Sequence, residues 1–452
     1  MSKTLPQEWV RTCIGDLVFK GTQRKPDDEE SFVYIDIGSV DRDRKAIVDA
    51  KKMIGSDAPS RARKIINEGD VLVSLTRPNL NAVALVPAEL DRQIASTGFE
   101  VLKTLIDSRY LFAIVRSQAF VESISGKVQG ALYPAAKPAD VHAYEMLLPP
   151  LAEQKQIANK LDELLAQVDS IKTRFDAIPA ILKRFRQSVL TAAVSGRLTE
   201  DWRAKNGVEE PTQATVGDVC ESSFYGPRFG KNDYVIDGVP TIRTTDMTGT
   251  GSIVLSKDTP MVHVPKEKVE QFRLLDGDLL ITRTGSIGVM AVFRGDALAI
   301  PSAYLIRFRF TPDVDVDYMF HYLTSPIGQY LMGLGTTAVT QPNINAKTIK
   351  AIPILLPSFE EQAEINARVK RLFSLASQIE QRLTEAQTRI NQLTQSILAK
   401  AFRGELTADW REQHPELISG EHSAEALLAQ IQAARAKLEP KKRVRRKKVA
   451  ST

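Results

Sequence analysis

QSVLTAAVSGRLTEDWR (187–203) and QSILAKAFRGELTADWR (395–411) are one stretch written twice, 208 residues apart. The match runs upstream without a gap to LLPPLAEQKQIANKLDELL (147–165) against LLPSFEEQAEINARVKRLF (355–373). Across 147–203 and 355–411, 19 of 57 positions are identical, which chance does not produce. The same offset continues faintly further upstream. Glu68-Gly69-Asp70-Val71-Leu72-Val73 meets Asp276-Gly277-Asp278-Leu279-Leu280-Ile281, Tyr110 and Phe112 meet Tyr318 and Phe320, and Pro134 meets Pro342. Between these anchors the halves differ almost completely. A period of 208 is far above the roughly 20–50 residues of a solenoid or propeller. The chain is therefore an internal duplication, a pseudo-two-fold arrangement of two units, each a variable globular part followed by a repeated segment.

The repeated segment reads as a long helix. Apolar residues fall at Ile157, Leu161, Leu164, Val168, Ile171, Phe175, Ile178, Leu182, Phe185 and Val189. The second copy gives Ile365, Val369, Leu372, Ala376, Ile379, Leu383, Ala386, Ile390, Leu393 and Ile397 in the same register. Sustained 4-3 spacing is the signature of a coiled-coil seam. Pro149, Pro150 and Pro357 mark the helix starts, and Gly196 and Gly404 suit left-handed caps at the ends. Pro179 is expected to kink or break the first helix. An isolated seam is exposed, and the preferred solution is that the two helices pair antiparallel. Packing of each helix on its own domain, and pairing between chains, are the other arrangements.

The parts outside the helices read as mixed α and β. VYIDIG (33–38), DVLVSL (70–75) and AVALVP (82–87) look like strands, and DLLITRTGSIGVMAVF (278–293) like two strands around a turn. LIRFRF (305–310) alternates apolar and basic, as a half-buried strand does. The fold class is α+β, with two mixed α/β domains separated by two long antiparallel coiled-coil helices. The segments are 1–146, the first variable domain; 147–205, the first helix region; 206–354, the second variable domain; 355–411, the second helix region; and 412–452, a short helix and a basic tail. Ala424–Leu438 reads as the short amphipathic helix, docking on a partner or on the coiled coil.

With 452 residues, 43% of them hydrophobic and 25% charged, the chain is neither a disordered polymer nor a disulfide scaffold, and it has only two cysteines. No run is long and apolar enough to span a bilayer, and the N-terminus lacks a signal-peptide core, so a cytoplasmic protein without membrane contact is expected. The net charge is +5, but KKRVRRKK (441–448) supplies seven positive charges, leaving −2 for the rest. Nucleic-acid binding by the body must therefore rest on local features.

Such features sit in loops: TRPNLN (76–81), SGKVQG (125–130), YGPRFGKND (225–233), IRTTDM (242–247), TRTGSIG (282–288) and GTTAVTQPNINAK (335–347). Arg, Lys, Asn and Gln read base edges, and Ser, Thr and backbone N–H groups hold phosphates. Catalytic signatures are missing. There is no GxxxxGK[ST] loop and no GxGxxG after a strand, the five histidines are scattered, and neither cysteine has a metal-ligand neighbour. No metal or catalytic residue is assigned, and acid pairs such as Asp27-Asp28 and Glu360-Glu361 read as solvated surface.

LPPLAEQKQIANKLDELLAQVDSIKTRFDAIPAILKRFRQSVL (148–190) and LTQSILAKAFRGELTADWREQHPELISGEHSAEALLAQI (393–431) resemble the shared central and C-terminal regions of the specificity subunit of type I restriction–modification enzymes, in the enterobacterial K-12-like subgroup. The variable parts match that family only in kind, through GDLLITRTGSIG and the prolines before each helix. The resemblance implies a non-catalytic subunit of a DNA adenine-N6 methyltransferase and type I endonuclease complex. Each variable part would be a target recognition domain reading half of a bipartite site in double-stranded DNA, with the helices fixing the spacer. Two methyltransferase subunits, carrying S-adenosylmethionine, and two restriction–translocation subunits would be the partners, and no cofactor is expected on this chain.

Candidate DNA-binding residues are Arg77, Asn79, Asn81, Lys127 and Gln129 in the first domain. In the second they are Arg228, Lys231, Arg243, Arg283, Thr336, Gln341, Asn343, Asn345 and Lys347. The helix–helix seam is assigned to Ile157, Leu161, Leu164, Val168, Ile171, Phe175, Ile365, Val369, Leu372, Ile379, Leu383 and Ile390. A stand-alone DNA-binding protein and a coiled-coil scaffold are the competing readings. An enzyme with an unrecognised site is a third.

Overall fold

The computed structural model describes residues 6–125, 135–283, 288–333 and 344–438. It divides into two compact units that do not follow chain order. One holds Met1–Phe175 and Glu385–Thr452, the other Asp176–Thr384. Sequence order separates five consecutive segments. Contacts instead attach the end of each long helix to the unit built by the other copy.

Both units have one strand plan. The first carries a central antiparallel sheet in the order Val18–Phe19, Phe99–Thr104, Val71–Ser74, Val83–Leu85. Its counterpart in the second unit is Cys220–Tyr225, Leu305–Phe310, Leu279–Thr282, Met290–Val292. A second sheet in each unit contains one parallel pair, Ser31–Ile35 beside Ile94–Ser96 and Val239–Ile242 beside Ile300–Pro301. A two-stranded ribbon leads into each long helix: Val10–Cys13 pairs with Glu145–Leu148, and Thr212–Thr215 with Pro353–Leu356.

Val71–Ser74 and Leu279–Thr282 are buried at every position because both faces are covered. Val71 and Val73 enter one core, with Leu102, Tyr110 and Ile157, while Leu72 enters another with Phe99 and Val101. Leu279 and Ile281, against Leu280, divide in the same way. LIRFRF departs from the half-buried expectation here. Arg307 is 5% exposed, because its strand lies in the middle of the sheet. The buried cation is tolerated because its guanidinium lies 4.2 Å over the Phe224 ring and donates to Ser222 Oγ at 2.8 Å. Its neighbour Arg309 grips the fully buried Asp278 through two 2.8 Å hydrogen bonds. Asp70 and Lys103 make the looser equivalent at 3.6 Å in the first unit.

The long helices run Leu151–Val194 and Phe359–Phe402. The first passes through Pro179 without a break. Pro179 removes one N–H and its ring lies in solvent, so the loss is confined to a single hydrogen bond between well-formed turns. Within the first unit Ile157, Leu161 and Leu165 share a core with Leu398 and Ala401. Within the second, Val189, Leu190, Ala193 and Val194 share one with Ile365 and Val369. The start of each helix thus packs beside the end of the other, which is the antiparallel sense. Each also packs on the strands of its unit, so the arrangement held as an alternative operates together with the pairing.

The seam is incomplete. Ile157, Leu161, Val168, Ile365, Val369 and Leu383 are buried, and Leu164, Phe175, Leu372 and Ile390 are partly so. Ile171 and Ile379 depart from the assignment, at 42% and 46% exposure. A straight helix drifts about 20° per heptad against a 3.5-residue repeat. Away from the ends, where strands no longer cover the helix, these side chains turn outward. At the ends the stripe broadens instead and takes in Leu165, Leu190 and Leu398, outside the 4-3 pattern.

The C-terminal helix spans Ala424–Leu438, as the sequence suggests, but docks differently from the expectation. Ala424, Leu427 and Ile431 are buried, and Leu427 and Ile431 join the core of the first unit with Ile14 and Leu17. Arg435 stands 3.9 Å from Asp16. Its apolar stripe is matched by the open face of Ile14–Leu17. The basic run 441–448 lies outside the described residues.

Candidate nucleic-acid interface

The repeated segment builds a clasp in each unit, and the two clasps exchange roles. In the first unit Glu153, on the first turn of the first helix, is fully buried. It accepts from Thr407 Oγ1 at 2.7 Å, from Arg411 Nε at 2.9 Å and from the Trp9 indole at 2.8 Å. In the second unit Glu361, fully buried, accepts from Thr199 Oγ1 at 2.6 Å and Arg203 at 2.5 Å. Each glutamate of one copy is thus held by the threonine and arginine of the other copy. Glu361 overturns its reading as solvated surface, because Arg203 balances its charge.

The glutamine after each glutamate acts in parallel. Gln154 accepts from Asp107 N at 3.0 Å and donates to Pro149 O at 2.7 Å. Gln362 accepts from Asp315 N at 2.7 Å and donates to Pro357 O at 3.0 Å. Lys160 donates to Leu406 O and Arg368 to Leu198 O, both at 2.8 Å. Gly196 and Gly404, with φ of 75° and 73°, turn the chain so that Arg203 and Arg411 reach back to their carbonyls at 2.8 and 2.7 Å. Tyr110 and Tyr318 pin each domain to its ribbon by donating to Leu147 O at 2.9 Å and Leu355 O at 2.5 Å.

On this common frame the loops differ. In the first unit, Pro78–Leu80 forms a short turn flanked by Arg77 and Asn81 in the left-handed region, at φ 48° and 47°. A left-handed non-glycine residue costs roughly 1–2 kcal/mol, less for Asn. Arg77 and Asn79 are exposed. Asn81 is partly buried and donates to Arg116 O at 3.2 Å, while its Oδ1 is buried without a partner. Its own carbonyl accepts from Lys45 Nζ at 2.6 Å. Burial, with the like charge of Arg116 next, pulls the Lys45 ammonium down to about 8. Burial also lowers the Arg116 guanidinium. Lys127 and Gln129 lie outside the described residues.

In the second unit several candidate segments meet at one end of the strands. Gly226 N donates to Leu305 O at 3.0 Å, Ser302 N to Ile242 O at 2.9 Å, and Arg283 N to Tyr304 O at 2.9 Å. Gly226 is required there, since a Cβ would stand 2.0 Å from Ser302 O. The Arg283 guanidinium lies 4.8 Å over the ring of Tyr225, whose hydroxyl accepts from Ala346 N at 2.9 Å. Arg283, the segment of Arg228, and Asn345 with Lys347 are thereby brought together, with Tyr304 62% exposed beside them. Arg228, Lys231 and Lys347 are exposed.

Two candidates also have local structural work. Asn345 Oδ1 caps the helix Ala346–Lys350 by accepting from Thr348 N at 2.9 Å. Arg243 donates to Asp258 O at 2.8 Å, holding the turn that follows. Thr336, Gln341 and Asn343 lie outside the described residues. Sequence reasoning passed over Tyr225, although it opens a Gly- and Arg-rich loop. It also passed over Lys45 and Arg116, which carry no local signal because only folding brings them to the 76–81 loop.

Among the described residues no group of three or more His, Cys, Asp or Glu could hold a metal ion. No described helix is long and apolar enough to cross a membrane. The arrangement offers two similarly built but differently tipped surfaces, both carrying Arg, Lys and Asn, the second with the exposed rings of Tyr225 and Tyr304 as well.

Comparison with known proteins gives one answer. The family described as "Type I restriction modification DNA specificity domain" matches twice, over residues 6–180 and 209–387. The chain is 41% identical over 355 residues to the EcoKI specificity subunit of Escherichia coli K12, covering 76% of this chain and 75% of that one. It is 38% identical over 353 residues to the StySPI specificity subunit of Salmonella potsdam, covering 76% and 75%. Among solved structures, a chain from work on complex assembly and conformational transition of the type I R-M system aligns at a TM-score of 0.72. Its identity is 27%, over 89% of this chain and 99% of that one. The HsdS subunit from Thermoanaerobacter tengcongensis aligns at 0.55 with 26% identity, over 89% and 99%.

Proposed function

Because this chain belongs to the family of type I restriction enzyme specificity subunits, we propose that it gives such a complex its DNA sequence preference. Each unit reads one half of a bipartite target in double-stranded DNA, and the long helices set the spacer. The observation that carries this is the duplication itself. One strand plan and one buried clasp occur twice, while the exposed loop ends differ between the copies. Identical frames suit identical partners, and different tips suit different half-sites.

The chain is the non-catalytic member of the complex. Two methyltransferase subunits, binding S-adenosylmethionine and methylating adenine N6, dock on the repeated surfaces, and two restriction–translocation subunits complete the assembly on cytoplasmic DNA. In this reading Arg283 with Tyr225, and Arg77 with Asn79, touch DNA. The exposed Arg77 and the partly exposed Arg283 suit guanine N7 and O6 or phosphate, and the Tyr225 ring suits a base or sugar face.

Mapping N6-methyladenine across the genome with and without this gene tests the reading. Loss of one split adenine motif on deletion is the expected result. An unchanged map from a strain that expresses the methyltransferase partner overturns it.

A further inference from the structure

Resting on the DNA-recognition reading above, we propose that Lys45 and Arg116, hinged on Asn81, form a pre-set cradle for one DNA backbone phosphate in the first unit. Lys45 and Arg116 lie outside the candidate loops, some 30 residues before and after the 76–81 turn.

The first support is strain. Among the described residues four non-glycine positions have positive φ: Lys45, Arg77, Asn81 and Arg92. Three of the four converge here. Lys45 reaches the carbonyl of Asn81 at 2.6 Å, and Asn81 reaches the carbonyl of Arg116 at 3.2 Å. Left-handed backbone at a bulky side chain is held only when the surroundings impose it, and such positions gather at ligand clamps.

The second support is unbalanced charge. Lys45 and Arg116 are half-buried and close enough to repel, and Lys172 on the first long helix adds to the repulsion. Asp43 and Asp169 offset part of this charge, and the other two nearby carboxylates are drawn elsewhere. Asp162 pairs with Arg109 at 2.8 Å, and Asp41 accepts from the backbone N–H groups of Asp43 and Arg44. The Arg116 guanidinium lies 5.1 Å from the centre of the Phe112 ring, which leaves its donor edge available. Burial and these like charges lower the Lys45 ammonium to about 8, so an anion arriving here relieves a repulsion already present.

The third support is chemistry. Lys and Arg only donate, and a phosphodiester only accepts. A guanine edge also offers two acceptors, N7 and O6, so the comparison of cognate with scrambled DNA below separates phosphate binding from base reading. This cradle positions DNA and leaves the reading to exposed neighbours such as Asn79.

The test uses the full chain assembled with its methyltransferase subunits. DNA affinity is measured against salt concentration for wild type, Lys45→Gln, Arg116→Gln, the double variant and Lys45→Arg. Losing one phosphate contact flattens the log–log slope by about 0.9, so the double variant loses about 0.9 and each glutamine variant a part of it. Affinity falls by the same factor on cognate and scrambled duplexes, and the methylated motif is unchanged. Lys45→Arg retains the wild-type slope, which separates loss of charge from loss of folding. An unchanged slope in both glutamine variants overturns the cradle, as does a loss confined to cognate DNA, which is the mark of base reading. Inorganic phosphate that shifts the Lys45 NMR signal while the DNA slopes stay unchanged also overturns it, since the site then takes a free anion. If wild type itself shows no split-motif methylation, it is the proposed function that fails.

Discussion

Replacing Arg411 by alanine strikes the clasp at its most sensitive point. Arg411 supplies the only cation on Glu153 among the described residues, through Nε at 2.9 Å and a second nitrogen at 2.8 Å. Glu153 has no solvent access, so without the guanidinium its charge is held by the neutral Thr407 hydroxyl and Trp9 indole alone. Removing one partner of a buried ion pair costs about 3–5 kcal/mol, against about 1 or less for an exposed pair. Arg411 also holds the carbonyl of Gly404 at 2.7 Å and lies 5.7 Å from the centre of the Trp9 ring, which places the expected loss near 4 kcal/mol. Arg203→Ala should cost at least as much in the second unit, because Glu361 Oε2 has no hydrogen-bond partner of its own.

Urea unfolding of the full chain gives the magnitude, and hydrogen exchange gives the place. Residues 147–165 and 404–411 lose protection in Arg411→Ala, and 355–373 and 196–203 in Arg203→Ala. The double variant Glu153→Gln, Arg411→Ala recovers part of the loss, since no buried charge is then stranded. A destabilisation below about 1 kcal/mol in both single variants would show that these pairs behave as solvated ones and refute the reasoning.

Three further outcomes are expected. Deleting one heptad from each long helix removes about 10 Å at 1.5 Å per residue, so the methylated motif should lose about three base pairs of spacer at roughly 34 Å per ten; an unchanged motif removes the helices from spacer control. His321 is held at about 4 by burial, below its ordinary 6.5. A depressed histidine favours folding above the unfolded value and loses that contribution as pH falls through the folded one, so the second unit loses up to about 3 kcal/mol between pH 6.5 and 4, and urea midpoints of His321→Phe should lack this step. Lys45, facing Arg116, Asp43, Lys172 and Asp41, loses its proton near pH 8, where an ordinary lysine stays charged. DNA affinity of wild type should therefore fall as pH rises from 8 to 9.5, while Lys45→Arg stays flat over the same range by fluorescence anisotropy.

The sequence by itself determined the duplication, the two long helices with their proline starts and glycine ends, and the strands around Val71–Ser74 and Leu279–Thr282. These are local or periodic signals: a 208-residue self-match, a 4-3 apolar rhythm, a left-handed cap that only glycine adopts cheaply. It also placed Arg77, Asn79, Arg228 and Arg283 on loops. Only the tertiary structure decided which copy closes which unit. The exchange of Glu153 with Arg411 and Glu361 with Arg203 joins residues 158 to 258 positions apart, and nothing at either end names the other. The same holds for Glu361, solvated by its polar context but buried by its partner, and for Arg307, alternating like a surface residue inside a sheet covered on both faces. Ile171 and Ile379 keep the heptad yet face water, because burial depends on what lies opposite a helix and not on its own period. Lys45 and Arg116 meet only where strands and a helix bring together segments some 70 residues apart, so the charge they concentrate there belongs to the fold alone.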